Sequence, residues 1–172
     1  KQQKNFQKMN NISFIGMAAC GKSTIGKAVA NKIGISFVDT DLLIEQKYEA
    51  TLEEIKNKYD YKFVRHEEEK VILNLTSSKR IISTGGSAVY SVKSMEHLKK
   101  FSKIIYINTP LEIIMERIDI GQKRGLAVPE GMSIPEIYSE REPLYQKYCE
   151  IILDGSKTID QLVDETIKQL YE

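Results

Sequence analysis

At 172 residues the chain has the length of one ordinary domain, long enough to bury a core without disulfide or metal support. Hydrophobic residues make up 41% and charged residues 28%, the composition of a cytosolic globular protein. With 25 Lys plus Arg against 24 Asp plus Glu, no global field recruits nucleic acid or a membrane surface, so any anion site must be local.

Residues 1–10 are polar and lack the apolar core of a signal peptide; they read as a frayed leader or an expression remnant, with Met9 as a natural start. No apolar run approaches the roughly 20 residues of a membrane span, so the cytoplasm is the expected compartment. From there short apolar runs alternate with longer amphipathic stretches, as in βα units around a parallel sheet. A strand over 11–15 leads through a glycine-bounded loop into a helix over 23–33, and 35–38 forms the second strand. Asp41 can cap the next helix, and Thr51 with Glu54 makes a capping box for another. A charged helix follows over 61–75, then a strand over 80–83 entering the turn at Gly85-Gly86. The clearest strand covers 104–107, and Pro110 suits the first turn of a helix. The segment 119–133 has no periodicity and reads as a mobile lid. A helix over 134–148, a strand over 151–153 and a helix from Ile159 complete the chain. The expectation is one three-layer α/β/α domain over 11–172, with a five-stranded parallel sheet.

Gly16-Met-Ala-Ala-Cys-Gly21-Lys22-Ser23 matches the phosphate-loop pattern G-x-x-x-x-G-K-[ST], between an apolar strand and an amphipathic helix as the pattern requires. The glycines let successive N–H groups of Gly16, Ala18, Ala19, Cys20 and Gly21 turn inward onto phosphate oxygens, and the helix adds its positive end. Lys22 then reaches the β- and γ-phosphates, Ser23 ligates Mg²⁺, and Thr24 contacts the α-phosphate. ATP with Mg²⁺ is therefore the expected co-substrate. Cys20, inside this loop, reads as a reactive thiol rather than half of a disulfide. Cys149 reads as a core filler; no CxxC or Cys/His cluster is present to hold zinc.

Over nearly its whole length the chain resembles the shikimate kinases, small members of the nucleoside-monophosphate-kinase-like P-loop group. The resemblance rests on five stretches in the family's order: the phosphate loop, Asp39-Thr40-Asp41, Arg65-x-x-Glu68, Ser83-Thr84-Gly85-Gly86, and Arg141-Glu142-Pro143-Leu144-Tyr145. It implies that Asp39 supports Mg²⁺ and that Asp41 binds the acceptor hydroxyls and takes the proton of the attacking one. Helix capping remains the competing role for Asp41. It implies that Arg65 and Arg141 hold the acceptor carboxylate, an arginine fork matching a carboxylate in two hydrogen bonds. Glu68, three residues on, is near enough on a helix to hold the Arg65 fork. Gly85 and Gly86 leave room for the acceptor against backbone N–H groups. Arg124 resembles a lid arginine closing on the phosphates, and Arg117 stands where the family places an arginine against adenine. The two histidines, His66 and His97, receive no function.

Four positions depart from the family pattern: Ala19 and Ser87 replace glycines, Arg124-Gly125-Leu126 replaces Arg-Pro-Leu, and Val64 replaces phenylalanine. ATP chemistry survives all four. Ser87, Val64 and the lid are expected to border the acceptor pocket, which leaves open another small hydroxylated acceptor. A non-catalytic nucleotide-binding module is the reading from a different class, disfavoured by the retention of Lys22, Ser23, Asp39, Asp41 and the arginines. No nucleic-acid or membrane partner is implied, and a monomer is expected.

Overall fold

The computed structural model describes residues 9–119 and 126–172. Its centre is β1 (Ile12–Ile15), four residues with both faces buried, as expected of a parallel strand covered by helices on each side. The other strands are β2 (Phe37–Asp39), β3 (Ile81–Ser83), β4 (Lys103–Asn108) and β5 (Ile151–Asp154). They form one all-parallel sheet in the order β2-β3-β1-β4-β5. Register pairs Phe14 with Ser83 and Ser83 with Asp39, so the carboxyl ends of three adjacent strands finish level. Everything that follows those ends faces one crevice.

Eight α-helices occur among the described residues: α1 (Lys22–Ile33), α2 (Thr40–Tyr48), α3 (Leu52–Lys58), α4 (Tyr61–Leu73), α5 (Val92–Phe101), α6 (Leu111–Asp119), α7 (Ile134–Tyr148) and α8 (Ile159–Tyr171). The chain moves one way across the sheet from β1 to β2 and the opposite way from β3 to β4. Right-handed crossovers therefore put α1 and α5 on opposite faces. Packing agrees: α8 lies on α1, while α4 lies on α5 and α6 on α7. This is the expected three-layer arrangement. The main core runs through the sheet from Ile12 to Leu170, and a smaller cluster of Ile44, Leu52, Ile55, Val64 and Ala127 sits between α2, α3 and α4.

Strand and helix positions agree with the expectations to within one or two residues, and the capping box at Thr51 and Glu54 is present. Three details differ. No element is expected over 92–101, yet α5 forms there behind its Ser91 cap, with Met95, Leu98 and Phe101 packing on the core. Pro110 stands one residue ahead of α6, its carbonyl accepting from Ile113 and Ile114. Asp39, not Asp41, caps α2, accepting from the amides of Asp41 and Leu42 at 2.9 and 3.2 Å. Of the expected lid over 119–133, residues 120–125, Arg124 among them, lie outside the described residues, while 126–133 run through turns and bends with no helix or strand.

Candidate active site

The loop after β1 turns through positive φ at Gly16 (146°), Ala19 (63°) and Gly21 (108°), which brings its amides inward. A Cβ on Gly16 would stand 2.9 Å from both Cys20 Sγ and the Ile107 carbonyl, so the loop lies tightly against β4. Lys22 is 6% exposed, and its ammonium donates to the carbonyls of Gly16 (2.7 Å) and Met17 (2.8 Å) at the loop's opening. Arg117 Nη1 donates to the Ala19 carbonyl at 2.8 Å, and Thr109 Oγ1 to that of Cys20 at 2.9 Å. A cavity of about 230 Å³ follows, between the loop, the exposed Thr24, Arg117 and the segment from Gly155 to Ile159. Arg117 thus lines this cavity while holding the phosphate loop. The Cys20 thiol does not fit the expectation of a reactive group, because it is 1% exposed and packed under the loop, 3.6 Å from Lys22 Nζ. Cys149 sits half-buried just past α7, packed against the edge of the main core.

The register of β1, β3 and β2 brings the next groups together. Ser23 Oγ donates to Asp39 Oδ2 at 2.5 Å and lies 3.1 Å from Ser83 Oγ. These hard oxygens beside the phosphate loop suit Mg²⁺, which takes one or two protein ligands and completes its shell with phosphate and water. Among the described residues no cluster of three or more His, Cys, Asp or Glu could hold a metal by itself.

Asp41 meets Glu68 of α4 in a hydrogen-bonded carboxyl pair, with Gly85 beneath. A Cβ on Gly85 would collide with Glu68 Oε2 and stand 2.6 Å from Asp41 Oδ1. The space at Gly85 is therefore taken by two carboxyls, not left for a ligand as expected. Glu68 is buried, and burial, then the Asp41 charge, hold its pKa well above the usual carboxylate range. Its Oε1 has no hydrogen-bond partner among the described residues. The expected Arg65–Glu68 hydrogen bond is absent among the described residues: Ala127 and Tyr90 engage Arg65, and Asp41 engages Glu68.

Arg65 instead donates from Nε to the Ala127 carbonyl at 2.8 Å, and its guanidinium lies over the rings of Tyr90 (3.9 Å) and Tyr61 (4.9 Å). Arg141 is 1% exposed, on the stripe of α7 that also buries Ile137, Tyr145 and Tyr148. Its Nε donates to Tyr90 Oη at 3.4 Å, while Nη1 and Nη2 have no hydrogen-bond partner among the described residues. Burial opposes its charge, but the Tyr145 and Tyr90 hydroxyls more than compensate and raise its pKa. A Cβ on Gly86 would stand 2.7 Å from Arg141 Nη1 and 3.3 Å from the Ala18 amide nitrogen, so this arginine reaches the mouth of the phosphate loop. Tyr145 fixes the same turn, its hydroxyl donating to the Gly86 carbonyl at 2.6 Å.

Ser87, Arg65, Glu68, His66 and Tyr90 border a second cavity of about 300 Å³. Val64, expected there, packs instead in the small cluster beside Ala127. His97 is half-buried, its Nε2 2.7 Å from the Leu75 carbonyl oxygen. Sequence reasoning missed the Glu68–Asp41 pair, Tyr90 and Tyr145. A signal existed for the last: Arg141 and Tyr145 share one face of a helix otherwise reading as apolar.

An anion loop on the central strand, acids at the end of an edge strand and basic groups converging from the opposite layer define a P-loop kinase. Family comparison narrows the class: the family described as Shikimate kinase matches residues 18–171. A shikimate kinase of Clostridium botulinum (strain Eklund 17B) is 35% identical over 159 residues, covering 92% of this chain and 96% of the relative. Among solved structures, the shikimate kinase from Acinetobacter baumannii in complex with shikimate superposes with TM-score 0.80 at 29% identity, covering 96% of this chain and 94% of its own. The enzyme from Aquifex aeolicus gives 0.77 at 27% identity, with 93% and 95% covered. The chain belongs to the shikimate kinase family. No helix among the described residues is long and apolar enough to cross a membrane.

Proposed function

We propose that this chain transfers the γ-phosphate of ATP to a hydroxyl of shikimate, with Arg141 and Arg65 anchoring the acceptor carboxylate and Asp41 accepting the hydroxyl proton. The observation that carries the reading is Arg141: a buried cation with two unpaired donor nitrogens beside the phosphate loop is matched by an anionic group of the acceptor. Backbone amides of Gly16, Ala18, Ala19, Cys20 and Gly21, with Thr24, hold the phosphates, and Arg117 lies against the base. Lys22 exchanges the Gly16 and Met17 carbonyls for phosphate oxygens. Ser23 and Asp39 would hold Mg²⁺, which would neutralise charge on the phosphates. The acceptor oxygen bonds to the γ-phosphorus as the bond to the β-bridging oxygen breaks. Its proton passes to Asp41, which Glu68 keeps oriented, and ADP leaves. Arg124, as the resemblance implies, adds charge at the phosphates, and Gly86 forms the floor beside Arg141. Every one of these groups comes from a single chain, so a monomer suffices, in the cytoplasm where ATP is supplied.

The test is ATP turnover with shikimate, quinate and gluconate, in the wild type and in the Lys22→Ala and Asp39→Ala variants, with circular dichroism to check the fold. Turnover is expected to depend on shikimate and to fall at least roughly a hundredfold in each folded variant. Slow hydrolysis indifferent to every acceptor would overturn the kinase reading. Turnover with gluconate or quinate alone would leave the chemistry and move the acceptor.

A further inference from the structure

Tyr90 ends the 3-10 turn Ala88–Tyr90 that follows the Gly85-Gly86 corner, and it touches both candidate carboxylate anchors. Both guanidinium groups lie over its ring, Arg141 more distantly at 5.4 Å, but their main contacts differ in kind. The Arg65 guanidinium lies on the ring face, 3.9 Å from its centroid. The hydroxyl accepts from Arg141 Nε at 3.4 Å and donates its own proton to Glu140 Oε1 at 2.6 Å. Only a phenol offers a π face and an accepting hydroxyl from one side chain.

The arrangement also decides which ends of the arginines remain available. Arg65 spends Nε on the Ala127 carbonyl and Arg141 spends Nε on Tyr90. Nη1 and Nη2 of Arg141 have no hydrogen-bond partner among the described residues. The two cations repel: burial lowers the Arg65 pKa most, the Arg141 charge lowers it further, and Tyr90 acts in the opposite sense. An electron-rich ring with a hydroxyl bonded to Glu140 contacts both guanidinium groups at once.

We infer that Tyr90 is a positioning residue that sets the two arginine forks for one carboxylate, and thereby selects carboxylate acceptors over neutral polyols. This rests on the reading that Arg65 and Arg141 anchor the acceptor carboxylate. Tyr90 touches no reacting atom; it acts through the arginines.

The experiment compares wild type, Tyr90→Phe and Tyr90→Leu in steady-state kinetics, with shikimate and with its uncharged carboxamide as acceptors. Phenylalanine keeps the ring under Arg65 and removes only the hydroxyl. The KM for shikimate should rise roughly fivefold in Tyr90→Phe, about the loss of one hydrogen bond to a charged group. It should rise roughly twentyfold in Tyr90→Leu, which also loses the cation–π contact, so phenylalanine is a partial rescue. In both variants kcat at saturating shikimate should stay within about twofold of wild type and the KM for ATP should not move. With the carboxamide, wild type and both variants should share one KM. An unchanged shikimate KM in Tyr90→Phe, or an equal loss with the carboxamide, overturns the role of Tyr90 while leaving the anchors standing. If the wild type uses shikimate and the carboxamide equally well, the anchoring reading itself falls, and this inference with it. Should the leucine variant fail to fold, the phenylalanine variant alone decides.

Discussion

Ala19 holds a backbone conformation that costs an L-residue about 1–2 kcal/mol, at φ 63° within the phosphate loop. Its carbonyl is fixed by Arg117 and the loop is packed against β4, so the surroundings impose the turn on it. Glycine would remove the strain but add about 0.4–1 kcal/mol of unfolded-state entropy. Ala19→Gly should therefore stabilise the protein by about 0.5–1 kcal/mol, measured as a rise in the urea midpoint at unchanged m-value. At this scale the phosphate loop was legible because its residues are contiguous and its chemistry is written in a row. The pairings of Arg65 and Glu68 were not. Spacing of three on a helix suggested a contact, but Arg65 finds Ala127 and Tyr90 while Glu68 turns inward to Asp41. Those partners come from other elements, and no local spacing encodes them.

Between elements, the joint of α2 with α4 matters most, because it sets Asp41 against Glu68. Beside that pair a second acid locks the two helices together. Glu67 has a side chain 2% exposed and bonds Lys47 of α2 at 2.9 Å and Lys70 of its own helix at 3.0 Å. Burial works against its charge, but the bonds from Lys47 and Lys70 prevail and hold its pKa down to about 2. In the unfolded chain the same carboxyl takes up its proton near the ordinary value of 4.5. Its stabilising contribution is thus complete above pH 4.5 and lost as pH falls toward 2. Both lysines are half exposed, which screens the pairs, so Glu67→Gln should cost about 1 kcal/mol at neutral pH. The sharper sign is that the variant's stability should change less than the wild type's between pH 5 and 2, followed by urea unfolding. Helices with wide apolar faces or capping boxes could be read from sequence, as α3, α7 and α8 were. Helix α5 was overlooked because its buried positions are few and its flanks are rich in lysine.

On the scale of the whole molecule, the reversal of chain direction about β1 opens the crevice in which the site lies. That architecture followed from the alternation of strand-like and helix-like runs. The order of the strands did not, since a parallel sheet can be threaded several ways with the same runs. The two layers of helices then present their groups to the crevice from both sides, and Arg141 comes from the layer away from the nucleotide loop's own helix. Its side chain fills the place of a core residue yet leaves two charged nitrogens without partners among the described residues. The two unpaired donors oppose folding while Tyr90 and Tyr145 favour the charge, and methionine, shorter and apolar, would carry neither effect. Arg141→Met should melt several degrees above the wild type, as about 1–2 kcal/mol does for a chain of this size, while losing its acceptor. Scanning calorimetry would show both: a higher melting temperature in the variant, and a rise with added shikimate in the wild type only. A lower melting temperature in Arg141→Met would mean that the guanidinium contributes more packing than its unpaired charge removes. The enzyme would then be most heat-resistant when working, its acceptor completing the core as a missing side chain would.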